Sequence, residues 1–260
     1  MPASWLDDLI TLGQFESGWG WEGQLRSYIT NKYRTDLRGL KDLPPEALAA
    51  CLGADLVPEK PYATIAWGLR LRPFRPLELY FFYNLDPEFG PDLRILFSRT
   101  SRRIPTEDAY VFAWDFLALL ARYGRRELPL TLQKPRGSWL ALAALVPPEE
   151  AESWQRFLLQ DKLRVAVRVE AAVATAAVWR LDRGQCLEIS GGWEIYWLVL
   201  PDLLLRLRRI GPEVEAAYEA NGAAKYPVDL LGSFAWLYLN AFLREARQVD
   251  PSLPQLSAYF

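Results

Sequence analysis

Glu16 and Glu22 frame the stretch of this chain that reads most like a chemical site. They lie in "FESGWGWEGQ", Phe15 to Gln24, with Trp19 and Trp21 between them and glycines at 18, 20 and 23. Two carboxylates on such a segment are the residue types of a general acid and base, or of acceptors that orient a polar ligand. Glycine lets the backbone take conformations closed to other residues, and loops that carry aromatics often bind. Trp19 and Trp21 straddle Gly20, so both indoles share one side if the segment is extended. The competing reading is burial: each large aromatic covers roughly 150–250 Å², and Phe15, Trp19 and Trp21 then plug a core and pin the loop.

A second set of candidates is cationic. Arginines fall in four groups: Arg70, Arg72 and Arg75; Arg99, Arg102 and Arg103; Arg122, Arg125 and Arg126; and Arg206, Arg208 and Arg209. If the first three groups converge beside Phe74 and Tyr123, they make a basic, aromatic groove of the kind that holds single-stranded nucleic acid. The ligand-binding set expected from sequence is therefore Trp19, Trp21, Arg70, Arg72, Arg75, Arg99, Arg102 and Arg103. Against a nucleic-acid groove stands the overall charge: 30 basic residues against 32 acidic ones, net −2, give no global basic field. Arg125 and Arg126 also sit at an expected helix C-terminus, where cations are favoured anyway.

Other chemistries are excluded by composition. The chain has no histidine, which removes Ser-His-Asp and Cys-His catalysis and histidine ligation of zinc or haem. Its two cysteines, Cys51 and Cys186, stand far apart in apolar surroundings and read as buried thiols. The single methionine is Met1. No cofactor and no transition-metal site is expected, whereas a magnesium or calcium site of carboxylates stays open. No GxxxxGK[ST] or GxGxxG phosphate loop occurs, and "SGG" at 190–192 precedes a strand. Glu107-Asp108 and Glu149-Glu150 follow prolines at helix starts, where acids complement the helix dipole. Eleven tryptophans raise sugar stacking, but Trp67, Trp114, Trp179, Trp197 and Trp236 fall at periodic core positions. Six lysines against 24 arginines, with little Met or Cys, is a composition of thermophiles or of GC-rich genomes.

The elements that must position these residues follow from periodicity. A short helix is expected over 4–12, a loop over 13–24, a helix over 25–40, and another in "PPEALAACLG" closing on Gly53. Period-two patterning in "YATIAWGLRLR", "LELYFFYNL" and "LRILFSR" gives strands, and a helix runs from Pro105 to Arg122. "PPEEAESWQRFLLQDKL" reads as a helix and Leu163 to Leu200 as a second β-rich stretch turning at Asp182-Arg183-Gly184 and Gly191-Gly192. Helices are expected at Pro201 to Arg209, Pro212 to Asn221 and Pro227 to about Val249. The fold class is α+β: an N-terminal helical segment (1–53), a first α+β unit (54–126) and a second (127–260), packed as one globular domain.

An internal repeat is suggested by "FAWDFLALLAR" (Phe112 to Arg122) and "FAWLYLNAFLR" (Phe234 to Arg244), each seven residues after a proline. The pairings "LELYFFY" with "WEIYWLV" and "DPEFG" with "GPEVE" extend it. "DPEFGPDLRILFSRTSRRIPTEDA", with "LGADL" upstream, resembles part of an uncharacterised prokaryotic domain family over residues about 53–122. That resemblance implies an α+β globular module and no activity.

No apolar run reaches the roughly 18 uncharged residues of a membrane span, and the N-terminus lacks a basic n-region, so a cytoplasmic protein without a membrane partner is expected. With no assembled catalytic set, the leading expectation is a non-catalytic binding or assembly module that meets a protein partner through aromatic and arginine-lined surfaces. The alternatives are a nucleic-acid-associated protein using the arginines and a carboxylate-dependent hydrolase centred on Glu16 and Glu22. Oligomeric state is not legible.

Overall fold

A computed structural model describes residues 5–86, 88–145 and 161–255. The chain divides into two compact units, Met1–Thr131 and Leu132–Phe260. Each is an α+β unit built on a five-stranded antiparallel sheet, as the alternating sequence patterns imply.

In the first unit the elements are β1 (Leu9–Ile10), α1 (Trp19–Ser27), α2 (Arg34–Arg38), α3 (Pro45–Leu52), β2 (Asp55–Leu56), β3 (Ile65–Phe74), β4 (Leu77–Asp86), β5 (Gly90–Ser98) and α4 (Thr106–Gly124). The strand order is β1-β5-β4-β3-β2. Leu79, Phe81 and Tyr83 alternate along β4 and are fully buried. The edge of Phe81 meets Phe116 of α4 at 6.3 Å, and Phe74 meets Phe112 at 5.3 Å. A buried side chain of this size stabilises the fold by about 1.5–3 kcal/mol. The Tyr83 hydroxyl donates to the Leu37 carbonyl at 2.8 Å, and burial pushes its pKa up to about 12.

The second unit contains β6 (Trp139–Ala141), α5 (Leu142–Leu145), α6 (Leu163–Ala166), α7 (Ala171–Leu181), β7 (Gln185–Ile189), β8 (Gly192–Leu200), β9 (Leu203–Ile210), β10 (Glu213–Glu219), α8 (Ala220–Ala223) and α9 (Val228–Val249). Its strand order is β6-β10-β9-β8-β7, the same path as in the first unit. Trp193 and Trp197 pack edge-on against Phe242 of α9 at 5.6 and 5.9 Å. Pro105 and Pro227 stand at the N-caps of α4 and α9, and Phe112 and Phe234 are both fully buried.

Several elements differ from the sequence expectation. Within the helix expected over 4–12, the described residues do not form one helix: a 3-10 turn spans Trp5–Asp8, and Leu9 and Ile10 pair with Ser98 and Phe97 as an edge strand. The glycine-rich stretch expected as a loop is helical from Trp19, its Leu25 buried. Residues 163–166 and 171–181 are helical, not strands; Ala174, Ala177, Val178 and Leu181 share the buried stripe of α7. Pro201–Arg209 and Pro212–Asn221, expected as helices, are chiefly β9 and β10. There Leu203, Leu205 and Leu207 alternate inward, and pairing with β8 outweighs the helix propensity of Leu and Arg. Trp179, expected in the core, is 81% exposed near the end of α7, and Trp114 is only half-buried. The strand order matches β4 with β9 and β3 with β8, so "LELYFFY" and "WEIYWLV" are not equivalent strands. The helix expected at 147–163, with Glu149 and Glu150, falls largely outside the described residues.

The two units differ on the sheet face remote from α4 and α9. In the first, Tyr80 and Phe82 are buried with Val57 and Ile65, and Leu6, Leu9 and Leu96 pack against them. Gly68 makes room: a side chain there would meet the Phe82 ring at 2.9 Å. In the second, the corresponding face carries Glu194, Tyr196 and the half-exposed Leu198 (50%).

Candidate functional site

Among the described residues the face of the second sheet remote from α9 carries an ordered polar and aromatic cluster. Register places Tyr196 of β8 opposite Arg206 of β9, and Arg206 opposite Ala217 of β10. The small Ala217 leaves space that Trp139 of β6 overhangs: its ring lies 4.4 Å from the Arg206 guanidinium and 5.8 Å from the Tyr196 ring. Arg206 also donates to Glu215 Oε1 at 2.7 Å. The Tyr196 hydroxyl donates to Glu194 Oε2 at 2.6 Å, and Glu194 Oε1 lies 2.9 Å from Arg208 Nε. Burial first, then the Glu194 carboxylate, raises the Tyr196 phenol above its ordinary value, so it stays a neutral donor.

Chemically this surface is an amphipathic ladder. Two arginines and two glutamates cancel in charge, so it does not select polyanions. Leu198 and Leu204 form an adjacent cross-strand pair. A groove lined by Ala141, Arg208, Ile210, Glu213 and Glu215 borders it.

The residues singled out from sequence are dispersed. Glu22 lies in the first turn of α1, where Oε2 accepts the Gly13 N–H at 2.5 Å and ties the preceding turn to the helix. Glu16 is exposed, and its carbonyl accepts the Thr106 hydroxyl at 2.6 Å. Trp19 is 86% exposed, whereas Trp21 packs on Tyr110 at 4.7 Å. The helical path turns the two indoles to different sides, unlike the shared side expected of an extended segment.

Arg70 and Arg72 both donate to Asp55 Oδ2, at 3.0 and 2.8 Å. The hydrogen bond from Arg70, followed by the two positive charges, holds the Asp55 carboxyl below its ordinary value despite some burial. Asp55 belongs to the β2 edge of the first sheet. Arg102 instead donates to the Gln14 carbonyl, just beyond β1 at the opposite edge. Arg99 and Arg103 share the 3-10 turn with Arg102, and exposed Arg75 precedes the cis proline Pro76. Arg125 reaches Asp36 at 2.5 Å and Glu127 at 2.6 Å, and Arg122 reaches Glu127 at 3.2 Å. Phe74 and Tyr123, expected to stack beside these arginines, are buried. The groups therefore do not meet in one groove, because each is drawn to its own acid or carbonyl.

Cys51 is buried and Cys186 half-buried, with its thiol raised by burial; neither forms a disulfide. Among the described residues no three His, Cys, Asp or Glu side chains group as a metal site, and no helix is long and apolar enough to cross a membrane.

Sequence reasoning noted Arg206 and Arg208 only as a charged group and missed Trp139, Tyr196 and Leu198. The available signal was the alternation in "LLLRLRRI", which puts both arginines on one face of a strand.

The class that this geometry defines is an α+β protein of two units, each a five-stranded antiparallel sheet backed by a long helix. Comparison with protein-family models, with curated proteins and with solved structures gives no match for the chain. Its function is therefore argued from the surface itself.

Proposed function

We propose that the chain is a non-catalytic binding module whose second sheet receives a protein partner on its open face. One observation carries the reading: two sheets of the same strand order treat that face differently. The first unit closes it with apolar side chains from its own chain, Leu6, Leu9 and Val57. Among the described residues the second leaves Leu198 half-exposed there, beside the partly covered Trp139, Tyr196 and Arg206. The occupant that fits is a polypeptide presenting apolar side chains to Leu198 and Tyr196. Trp, Tyr and Arg are the residue types that dominate binding energy at interfaces.

The shared strand order supports reading the units as copies of one ancestral unit. Two cysteines outside any disulfide fit a reducing, cytoplasmic setting. The individually paired arginines weigh against a nucleic-acid groove, and Glu22's bond to Gly13 weighs against a hydrolase built on it.

A displayed random-peptide library tests the reading. The wild-type protein should enrich peptides rich in apolar residues, and Leu198→Arg and Trp139→Ala should lose them while Phe89→Ala, in the first unit, keeps them. No enrichment, or enriched peptides that bind Leu198→Arg equally well, would overturn it.

A further inference from the structure

A different surface, in the first unit, carries a ligand chemistry of its own. The chain leaves α1 through a π-turn over Tyr28–Lys32, closed by the Tyr33 N–H donating to the Tyr28 carbonyl at 2.9 Å. This wider turn sets Tyr28, Lys32 and Tyr33 beside Trp114 of α4. The Tyr28 ring stacks on the Trp114 ring at 5.9 Å with 20° between planes, and lies 6.4 Å from the Tyr33 ring. The Lys32 ammonium sits 5.2 Å from the Tyr28 and Tyr33 centroids and 6.0 Å from that of Trp114. Three rings thus border one cation. The Trp114 Nε1 is buried with no hydrogen-bond partner, so the indole contributes its π-face and no polar tie. Lys32 itself is exposed, and among the described residues its ammonium meets only the rings.

From this arrangement we propose that Tyr28, Tyr33 and Trp114 form a binding site for an N-methylated ammonium group, with Lys32 as a displaceable internal occupant. Ring quadrupoles attract a cation whatever its substituents, and methylation removes the hydration that otherwise holds an ammonium in water. A methylated cation therefore gains more from three aromatic faces than the well-hydrated Lys32 ammonium does. A primary ammonium on a flexible stem is held weakly at an exposed site and leaves readily. π-turns recur at functional sites, and here the turn is what brings Lys32 and Tyr33 to the same side as Tyr28. Tyr110 backs the site; burial, then its contact with Tyr28, raises its phenol.

The experiment titrates choline, its uncharged carbon isostere and a peptide bearing trimethyllysine into the full chain, read by saturation-transfer NMR on the methyl signal and by calorimetry. Choline or the peptide should bind and the isostere should not; which of the two binds tells whether the cation is free or peptide-borne. Lys32→Ala should tighten binding about two- to fivefold, the equivalent of an exposed cation–π contact of about 0.5–1 kcal/mol. Trp114→Ala should abolish it; because that change also empties part of the packing, Tyr28→Leu, which keeps apolar volume at a half-buried position, should weaken it at least fivefold with the melting temperature retained. Equal binding of choline and its isostere, no gain in Lys32→Ala, full binding by Tyr28→Leu, or no binding of either cation to Lys32→Ala would each overturn the proposal.

Discussion

Removing the Glu219 carboxylate should release the segment that leads into the second unit. Glu219 ends β10 and is 1% exposed, yet it carries a charge. Its Oε1 accepts the Arg136 N–H at 2.7 Å and its Oε2 the Gly222 N–H at 2.9 Å. The same segment is tied by the Gln133 N–H to Asp202, by Asn221 to the Lys134 carbonyl and by the Ala220 N–H to the Ser138 carbonyl. Hydrogen bonds to a charged group contribute about 1.5–3 kcal/mol each, so two give at most about 6 kcal/mol. Residues 134–137 are exposed, and water will satisfy part of what is lost. Glu219→Ala should therefore cost about 3 kcal/mol, and Glu219→Gln, which retains one acceptor, about 2 kcal/mol.

The acid response has a definite sign. Burial alone would raise the Glu219 carboxyl, but the N–H donors of Arg136, Gly222, Asn221 and Gly137 outweigh it and hold it below the ordinary 4.5. Between the lowered folded value and 4.5 the unfolded chain binds more protons, so this stabilisation is complete above 4.5 and is lost as pH falls through the folded value. Glu219→Gln should flatten that part of the acid dependence. Urea unfolding gives the free energy, and amide exchange at Arg136 and Gly222 localises it, since two units need not unfold as one. Unchanged exchange at Arg136 in Glu219→Ala, or an acid profile of Glu219→Gln that follows the wild type, would refute the reasoning.

Three shorter expectations follow from packing. Gly18→Ala should destabilise by more than about 2 kcal/mol, because its Cβ would lie 1.9 Å from the Leu12 carbonyl oxygen, whereas Gly20→Ala, with open space around it in α1, should stabilise by about 0.5–1 kcal/mol; both are read by thermal melts. Phe82→Ala should cost about 3–5 kcal/mol on the closed face of the first sheet, and Leu198→Ala under about 1 kcal/mol on the open face of the second; comparable losses in urea unfolding would mean that the faces do not differ as described. Asp202, fully buried, accepts Tyr226 at 2.7 Å and Lys225 at 3.1 Å, so Asp202→Ala should cost about 3–5 kcal/mol by denaturant unfolding.

Legibility in the sequence followed the range of the forces involved. The helix α3 was readable because Pro45 opens it and Gly53, at φ 64°, closes it, both local effects. Strands β3 to β5 were readable because β3 and β5 alternate, β4 is rich in aromatic and apolar residues, and their turns carry glycine and proline. The failures lie where local and non-local signals conflict. "LLLRLRR" is good helix sequence, and only pairing of Arg206 with Tyr196 and of Arg208 with Glu194 makes it β9. Residues 171–181 mix valine with alanine, and the helical spacing of Ala174, Ala177, Val178 and Leu181 prevails over β-branching. The arginine groups could be counted from sequence, but their partners could not. Asp55 for Arg70, Gln14 for Arg102 and Asp36 for Arg125 are each set by sheet order or tertiary packing.

The open face of the second sheet is of interest for what is already fixed there. A lone exposed leucine is ordinary on a protein surface and argues for nothing. Here Leu198 adjoins an arginine sandwiched between a tryptophan and a glutamate, and a tyrosine anchored to a second glutamate. Long side chains normally lose about 0.5–1.5 kcal/mol each in freedom when an interface forms. In Arg206 and Tyr196 much of that ordering precedes any encounter, because intrachain partners already hold both side chains. The ion pairs each have one exposed partner, Glu215 or Arg208, so they add little to stability. Their stronger consequence is a rigid, charge-neutral, partly apolar platform beside the open Leu198. The first unit, of the same strand order, meets the same need by folding its own Leu6, Leu9 and Val57 over Tyr80 and Phe82.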